Sequence, residues 1–373
     1  MIPSAKFVDR SIVHQLGDRE ACVLSYDSDT LDTVLGASSD MTLAWDSARN
    51  SVYSVNGWSQ DNDQVRNSNV NNAYKTTGAL ECILKAGAKF DFLLDMQDHR
   101  ARKAISPDGH GVPLFTFNRG LGRPTGHVLW PLPIYQDVEN DEFLGGLDPE
   151  RVPWNLKRDV VVWRGGAGNR GRLGRHARGG PIRMVPLLRQ FKNDKMSAEE
   201  TERVLLSMPR YKTIHRYIAD ERFDIGFTNA DGLVLKDEPF LNGLERPRIQ
   251  RQDFQLYKYI LVLPGSDVGS SFYWTMNSGS VGLVFDCDFE SFASHHFKPW
   301  EHYVPIRKSL GNMEKALEWC EKNQEECQEM ARRAAEVCRL LARQDLREKI
   351  QQGIVGGLND ILPKGAKGWT HLE

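Results

Sequence analysis

The chain has 373 residues, 40% hydrophobic and 26% charged, with a formal net charge of −2 at pH 7. That length exceeds what one hydrophobic core usually supports, so two domains are expected, and the composition excludes a disordered tail. Near-neutral charge argues against a protein built to coat nucleic acid, and no apolar run reaches the ~20 residues of a membrane span.

Short strand candidates separated by turns occupy residues 21–26, 41–45, 51–55, 90–94 and 113–117, with one helical pattern at 74–85. The stretch 147–153 is charged and carries Pro149 and Pro153, which marks it as a linker between domains. Beyond it the alternation sharpens. A strand at 159–163 is followed by a helix at 182–191, and Ser197-Ala198-Glu199-Glu200 reads as a capping box opening a helix that Pro209 ends. Strands at 259–263 and 281–285 flank a helix at 272–277, a βαβ succession that predicts a mostly parallel sheet. From 313 to 350 apolar residues recur at helical spacing, with Leu317, Cys320, Cys327, Ala334, Val337 and Leu341 on one face. The heptads are not sustained, so these helices pack on a core in preference to forming a coiled coil. The six cysteines include no Cys-x-x-Cys pair, which fits reduced thiols, and there is no Asn-x-Ser/Thr acceptor. With no apolar signal core at the amino terminus, a cytoplasmic protein is expected, or a trimmed form of a secretory one.

Four segments carry a family resemblance: Tyr257-Lys258-Tyr259, then Ser270-Ser271-Phe272, the apolar run to Phe285, and Lys298-Pro299-Trp300-Glu301-His302-Tyr303-Val304-Pro305. Their order and spacing resemble the carboxy-terminal signature of glycosyltransferase family 90, which includes Rumi-type protein O-glucosyltransferases and capsule-associated and lipopolysaccharide-modifying transferases. Upstream, the run ending at Trp163 passes into Arg164-Gly165-Gly166, similar to an aromatic-Arg-Gly-Ser string of the family, and Pro181-Ile182-Arg183 resembles its Pro-x-Arg element. A looser block spans 90–130, so the resemblance covers roughly residues 85–345.

The resemblance implies an α/β protein of GT-B type, with two Rossmann-like lobes, a cleft between them and carboxy-terminal helices. Residues 1–150 would form the acceptor-side lobe, 151–345 the nucleotide-sugar lobe and 346–373 a helical tail packing across both. It implies an inverting, metal-independent transfer of glucose, xylose or a related sugar from a UDP donor to a hydroxyl of a glycan or protein, with no cofactor beyond the UDP-sugar co-substrate.

Such chemistry needs a base for the acceptor hydroxyl, stabilisation of the departing diphosphate and exclusion of water. Without a metal ion, arginines and backbone N–H groups must balance the diphosphate charge. Residues 164–183 supply six arginines directly after a strand. The resemblance places Arg164, Gly165, Gly166, Arg183, Gly265, Ser270, Ser271, Phe272, Tyr273 and Glu290 around the donor. Arg170, Arg172, Arg175 and Arg178 belong to an insertion and supply local charge. At Tyr273 the family usually has an arginine, so the clamp here is weaker or rebuilt. Asp98 is the expected base, with Asp95 its rival as a strand-end turn residue, and His99, Phe117 and Trp130 line the sugar and acceptor pocket. Trp300, His302 and Tyr303 form a packed turn.

Three other readings compete. Gly166-Ala167-Gly168-Asn169-Arg170-Gly171 satisfies a dinucleotide fingerprint and would suit a nicotinamide-dependent oxidoreductase if a helix began there at once. Asp286-Cys287-Asp288 has the form of an Asp-x-Asp metal site, though the resemblance assigns no metal. A relative that binds glycans without catalysis is the third.

Overall fold

The computed structural model describes residues 3–17, 42–54, 57–59, 70–97, 113–121, 127–133, 136, 144, 146–166, 170–171, 182–228, 239–265 and 268–361. The strand expected at 21–26 lies outside them. In chain order the elements are α1 (Ser4–Leu16), β1 (Thr42–Asp46), β2 (Ser51–Ser54), β3 (Gly57–Ser59), α2 (Val70–Lys85), β4 (Phe92–Asp95), β5 (Leu114–Thr116), β6 (Asn118–Gly120) and β7 (His127–Leu129). There follow β8 (Arg158–Gly165), β9 (Arg170–Gly171), β10 (Ile182–Arg183), α3 (Met184–Lys192), α4 (Ala198–Leu205), α5 (Pro209–Tyr217), β11 (Phe223–Phe227), β12 (Tyr257–Val262) and α6 (Phe272–Met276). The last are β13 (Val281–Phe285), β14 (Phe289–Ser291), β15 (Val304–Ile306), α7 (Met313–Lys322), α8 (Gln324–Leu341) and α9 (Gln344–Ile361). Among the described residues no helix is long and apolar enough to cross a membrane.

These elements form two compact units, one of residues 1–143, 288–296 and 339–373, the other of 144–287 and 297–338. In the first, a sheet of order β3-β2-β1-β4-β5-β7 is antiparallel from β3 to β4 and parallel from β4 to β7. The apolar run of β4 is buried at every position because neighbours pair on both sides. Phe92, Phe115 and Trp130 meet edge to face, Phe92 and Phe115 at 5.2 Å and Phe115 and Trp130 at 5.5 Å. Helix α1, which has no counterpart in the expected elements, packs on α9, where Gly353 admits the Ile12 side chain.

A buried polar knot ties α1 to the antiparallel pair β6–β14. Arg119 Nε donates to Glu290 Oε1 at 2.6 Å, and its Nη groups donate to the carbonyls of His14, Gln15 and His127. His14 Nε2 donates to the Ser291 carbonyl at 3.0 Å, which fixes its tautomer, and its ring stacks on His295 at 4.0 Å. Neither ring nitrogen of His295 has a hydrogen-bond partner among the described residues. Burial lowers the pKa of His14 and His295; for His295 the neighbouring His14, His296, Arg10 and Arg119 lower it further.

The second unit is a doubly wound α/β domain. Its five strands are all parallel in the order β11-β8-β12-β13-β15. Strand β13 reads Val-Gly-Leu-Val-Phe and is buried throughout, as an inner parallel strand must be, while Pro305 is confined to the edge strand β15. Alternate residues face opposite sides. Val161, Trp163, Ile225, Tyr259, Leu261 and Leu283 join the core with α3, α4, α5 and α7, whereas Val162, Ile260 and, beyond a register shift between Tyr257 and Tyr259, Tyr257 pack with Phe254 and Trp274 on the other face. The expected N-cap is present, Ser197 Oγ accepting from Glu200 N at 3.2 Å. Pro209, however, does not terminate α4. It occupies the first turn of a further helix, α5, where a missing N–H costs nothing. The six apolar residues read on one helical face between 317 and 341 are all buried, in α7 and α8.

Leu144 and residues 147–149 are clasped within this unit. Asn277 Nδ2 donates to the carbonyls of Leu144 and Leu147, and Gln255 Nε2 to that of Asp148 at 2.6 Å. Gly279 closes the clasp at φ +68°, with the position of a Cβ only 2.0 Å from the Pro149 carbonyl oxygen. Gly279→Ala therefore combines left-handed backbone strain with a backbone clash, and a loss of about 2–4 kcal/mol is expected in urea unfolding.

The polar knot gives a second expectation. Below the ordinary imidazole pKa of 6.5 an unfolded chain protonates His14 and His295, while the fold holds them neutral. The unfolded state then binds more protons, so stability is retained above 6.5 and falls steadily as pH drops below it. Urea midpoints at pH 7.5, 6.5 and 5.5 check this, and His295→Gln should flatten the decline.

Candidate functional site

In an open parallel sheet, ligands bind beyond the carboxyl ends of the strands, at the point where successive connections leave in opposite directions. In the second unit that point lies between β8, whose connection leads to β11 on one side, and β12, whose connection leads to β13 on the other. The two strands end in Gly165-Gly166 and in Leu263-Pro264-Gly265. Thr228, just past β11, donates its N–H to the Gly165 carbonyl at 3.0 Å. Gly165 has no side chain because the Trp163 indole fills the space, 2.5 Å from where a Cβ would sit.

The arginines gathered near this edge have different occupations. Arg164 points to the opposite face from Trp163 and is fully engaged: Nη2 donates to Asp224 Oδ1 at 2.6 Å, Nη1 to the Asp224 and Trp163 carbonyls, and Nε to the Pro247 carbonyl at 2.9 Å. Burial raises the Asp224 pKa, but hydrogen bonds from Tyr257 and Arg164 outweigh it and hold the carboxyl below its usual range. The Arg183 side chain is exposed and has no hydrogen bond or ion pair among the described residues. It is the N-cap of α3, with extended backbone. Arg210, in the first turn of α5, was not singled out from the sequence. Its Nη1 donates to the Gly166 carbonyl at 2.9 Å and its Nε to the Pro264 carbonyl at 3.2 Å, so it joins the ends of β8 and β12. The signal available in the sequence was Pro209, read as a helix start instead of a stop.

The family-like segments of this unit come together around α6. This helix is only five residues long, and Ser271, its N-cap, makes no side-chain cap bond. Phe272 and Tyr273 are both buried, and Phe272 meets Phe297 at 5.4 Å and Tyr303 at 6.2 Å. The position where the family usually has an arginine is thus a core ring here. The turn at 298–303 is packed as expected. Trp300 N donates to Tyr303 O at 2.7 Å with Trp300 at φ +63°, and Lys298 N donates to His302 Nδ1 at 3.1 Å. Burial lowers the pKa of His302, consistent with a neutral ring.

The remaining candidates belong to the first unit. Asp95 ends β4 and is buried, its Oδ1 accepting from Gln97 N at 3.0 Å, the local turn that an aspartate at a strand end favours. Asp98 and His99 lie outside the described residues. Phe117 and Trp130 are buried in the core, and Trp130 borders a cavity of about 510 Å³ lined also by Glu81, Lys85, Gln136, Arg347 and Glu348. Glu290 is held by Arg119 in the polar knot.

The dinucleotide alternative loses its geometry. Residues 167–169 lie outside the described residues, but Arg170-Gly171 pairs antiparallel with Ile182-Arg183 as a short ribbon where the fingerprint requires a helix to begin.

Comparison with known proteins agrees with this picture. Residues 228–348 match the profile of Glycosyl transferase family 90. The chain is similar to Protein O-glucosyltransferase 3 of Mus musculus, 30% identical over 80 residues, which is 21% of this chain and 16% of that protein. It is 28% identical to Protein O-glucosyltransferase 1 of Homo sapiens over 150 residues, 40% of this chain and 36% of that protein. Uncharacterized protein 027R of Frog virus 3 (isolate Goorha) is 35% identical over 80 residues, 20% of this chain and 8% of that protein. The matched stretch is therefore well under two thirds of each relative's length. The stretch similar to that family runs from the residue after β11 into α9 and includes β12, α6, β13, the packed turn and β15.

Proposed function

We propose that the chain is a glycosyltransferase of GT-B type that moves a sugar from a UDP donor to a hydroxyl, with inversion and without a metal ion. The observation that carries the reading is the placement of the family-matched segment: residues 228–348 supply β12, α6 and β13, which form one wall of the switch-point crevice. Glycines at the ends of β8 and β12 form the floor, where a nucleotide's phosphates approach the backbone. Glucose is the favoured sugar and a protein or glycan hydroxyl the favoured acceptor, because two of the similar proteins are named protein O-glucosyltransferases.

In this reading Asp98 removes the acceptor proton as the hydroxyl attacks the anomeric carbon from the face opposite UDP. Negative charge then develops on the departing diphosphate. Arg183, whose guanidinium has no protein partner among the described residues, moves onto it. Arg164, committed to Asp224, shapes the strand end and does not reach for the phosphate.

UDP should raise the melting temperature and a nicotinamide nucleotide should not; the opposite result would return the oxidoreductase reading. Arg183→Ala should weaken UDP binding by ~1.5–3 kcal/mol in calorimetry, and unchanged affinity in a folded variant removes Arg183 from the site. Asp98→Asn keeps shape and removes basicity, so UDP affinity should hold while single-turnover transfer falls roughly 10²–10⁴-fold. Near-normal transfer by this variant, or a severe loss in Asp95→Asn alone, moves the base elsewhere. UDP binding without transfer or donor hydrolysis from any UDP-sugar would favour the non-catalytic glycan binder.

A further inference from the structure

Arginines removed from water in this protein generally face acids. Arg119 meets Glu290 and Arg164 meets Asp224, each at 2.6 Å. Arg210 does not. Its acceptors among the described residues are the two carbonyl oxygens of Gly166 and Pro264, and no carboxylate there pairs with it. Its guanidinium lies 5.7 Å from the Trp163 ring centre, a contact that offsets part of the desolvation of a cation. Carbonyl dipoles and a ring face orient the group without cancelling its charge. Burial lowers its pKa, yet a guanidinium stays charged in proteins. Among the described residues this half-buried cation has no counter-ion, an arrangement costly to the fold unless an anion comes to it.

The direction of the unused edge is also defined. Nε and Nη1 are taken by the carbonyls, and Nη2 has no acceptor among the described residues. Nη2 lies 3.4 Å from where a Cβ of Gly265 would be, so the glycine leaves this edge uncovered. Gly166, bonded through its carbonyl to Nη1, is likewise without a side chain. The uncovered donors therefore sit at the switch point of the sheet, between the ends of β8 and β12.

We propose that Arg210 is the anchoring cation of an anion subsite at this switch point, and that its ligand is the diphosphate of the nucleotide donor. This rests on the reading of the chain as a UDP-sugar enzyme for the identity of the ligand, but not for the existence of the subsite. It also accounts for the departure at Tyr273: a ring is packed where the family has an arginine, and the diphosphate charge is met instead from α5, across the crevice from α6. Two carbonyls hold the guanidinium in place before the ligand arrives, so little side-chain entropy remains to be lost on binding.

Isothermal calorimetry of the full chain with UDP, uridine and inorganic pyrophosphate tests this, on wild type, Arg210→Met and Arg210→Lys. Arg210→Met should lose roughly 10- to 100-fold in affinity for UDP and for pyrophosphate while binding uridine as wild type does. Arg210→Lys keeps the charge but cannot span both carbonyls and the ligand, so the ratio of UDP to uridine affinity should fall at least about fivefold. That variant decides the matter if Arg210→Met does not fold. UDP affinity within about twofold of wild type in a folded variant overturns the proposal while leaving the UDP reading intact. Pyrophosphate binding that depends on Arg210, with no binding of UDP or uridine, upholds the subsite and overturns the UDP reading. Failure of wild type to bind either UDP or pyrophosphate overturns both.

Discussion

The reversal of strand order between β8 and β12 governs the second unit. All five strands of its sheet are parallel, so all their carboxyl ends open at one edge, and a crevice forms only where the connections part. That constraint decides which residues can take part in chemistry. Gly165, Gly166 and Gly265 lie at the crevice because two strands end there, and Trp163 lies beneath because the pleat alternates. Segments far apart in sequence, at 163–166, 210 and 264–265, become neighbours through this one topological fact. The helices on either face hold the strands in register, and α5 brings Arg210 to the strand ends.

Charge is managed differently in the interior and at the crevice. Arg164 and Arg119 show the interior solution, a carboxylate at 2.6 Å supplemented by backbone carbonyls. A buried pair of this kind contributes little net stability, but removing one partner leaves an uncompensated charge. At the crevice, among the described residues, two carbonyl oxygens and the Trp163 ring hold a guanidinium in place. The same residue type thus serves as structural brace or as binding group according to what it faces.

Much of the sheet was legible because buried strands need uninterrupted apolar runs. The run at 281–285 coincides with β13; those at 90–94, 113–117, 159–163 and 259–263 fall on β4, β5, β8 and β12 with ends shifted by one or two residues. What could not be read depends on contacts distant in sequence. Strand β15 is three residues long with a proline inside it, and only its pairing with β13 makes it a strand. Helix α1 shows the weak periodicity of Phe7, Ser11, Gln15 and Leu16, whose polar members are buried only because α1 meets the polar knot and α9. At the site, the family-like residues of the second unit fall near the carboxyl edge of its sheet, but no local pattern distinguishes Arg164, spent on an aspartate sixty positions away, from Arg183, which is exposed. Arg210 carried no motif at all, since its role arises from two carbonyls at separate strand ends.

The first unit is assembled from three separate pieces of chain. Its amino-terminal helix α1 rests on α9, and its strand β6 pairs with β14, which is made 169 residues later by its first paired position, Gly120 with Phe289. On a ribosome, the sheet β1–β7 is therefore exposed long before the partners that cover α1 and β6 have been synthesised. The second unit, built mainly from one continuous stretch, can close first. Folding order is then opposite to the order of synthesis for much of the chain, and the amino-terminal unit spends its synthesis with an incomplete core, the interval in which a chaperone would find apolar surface to hold.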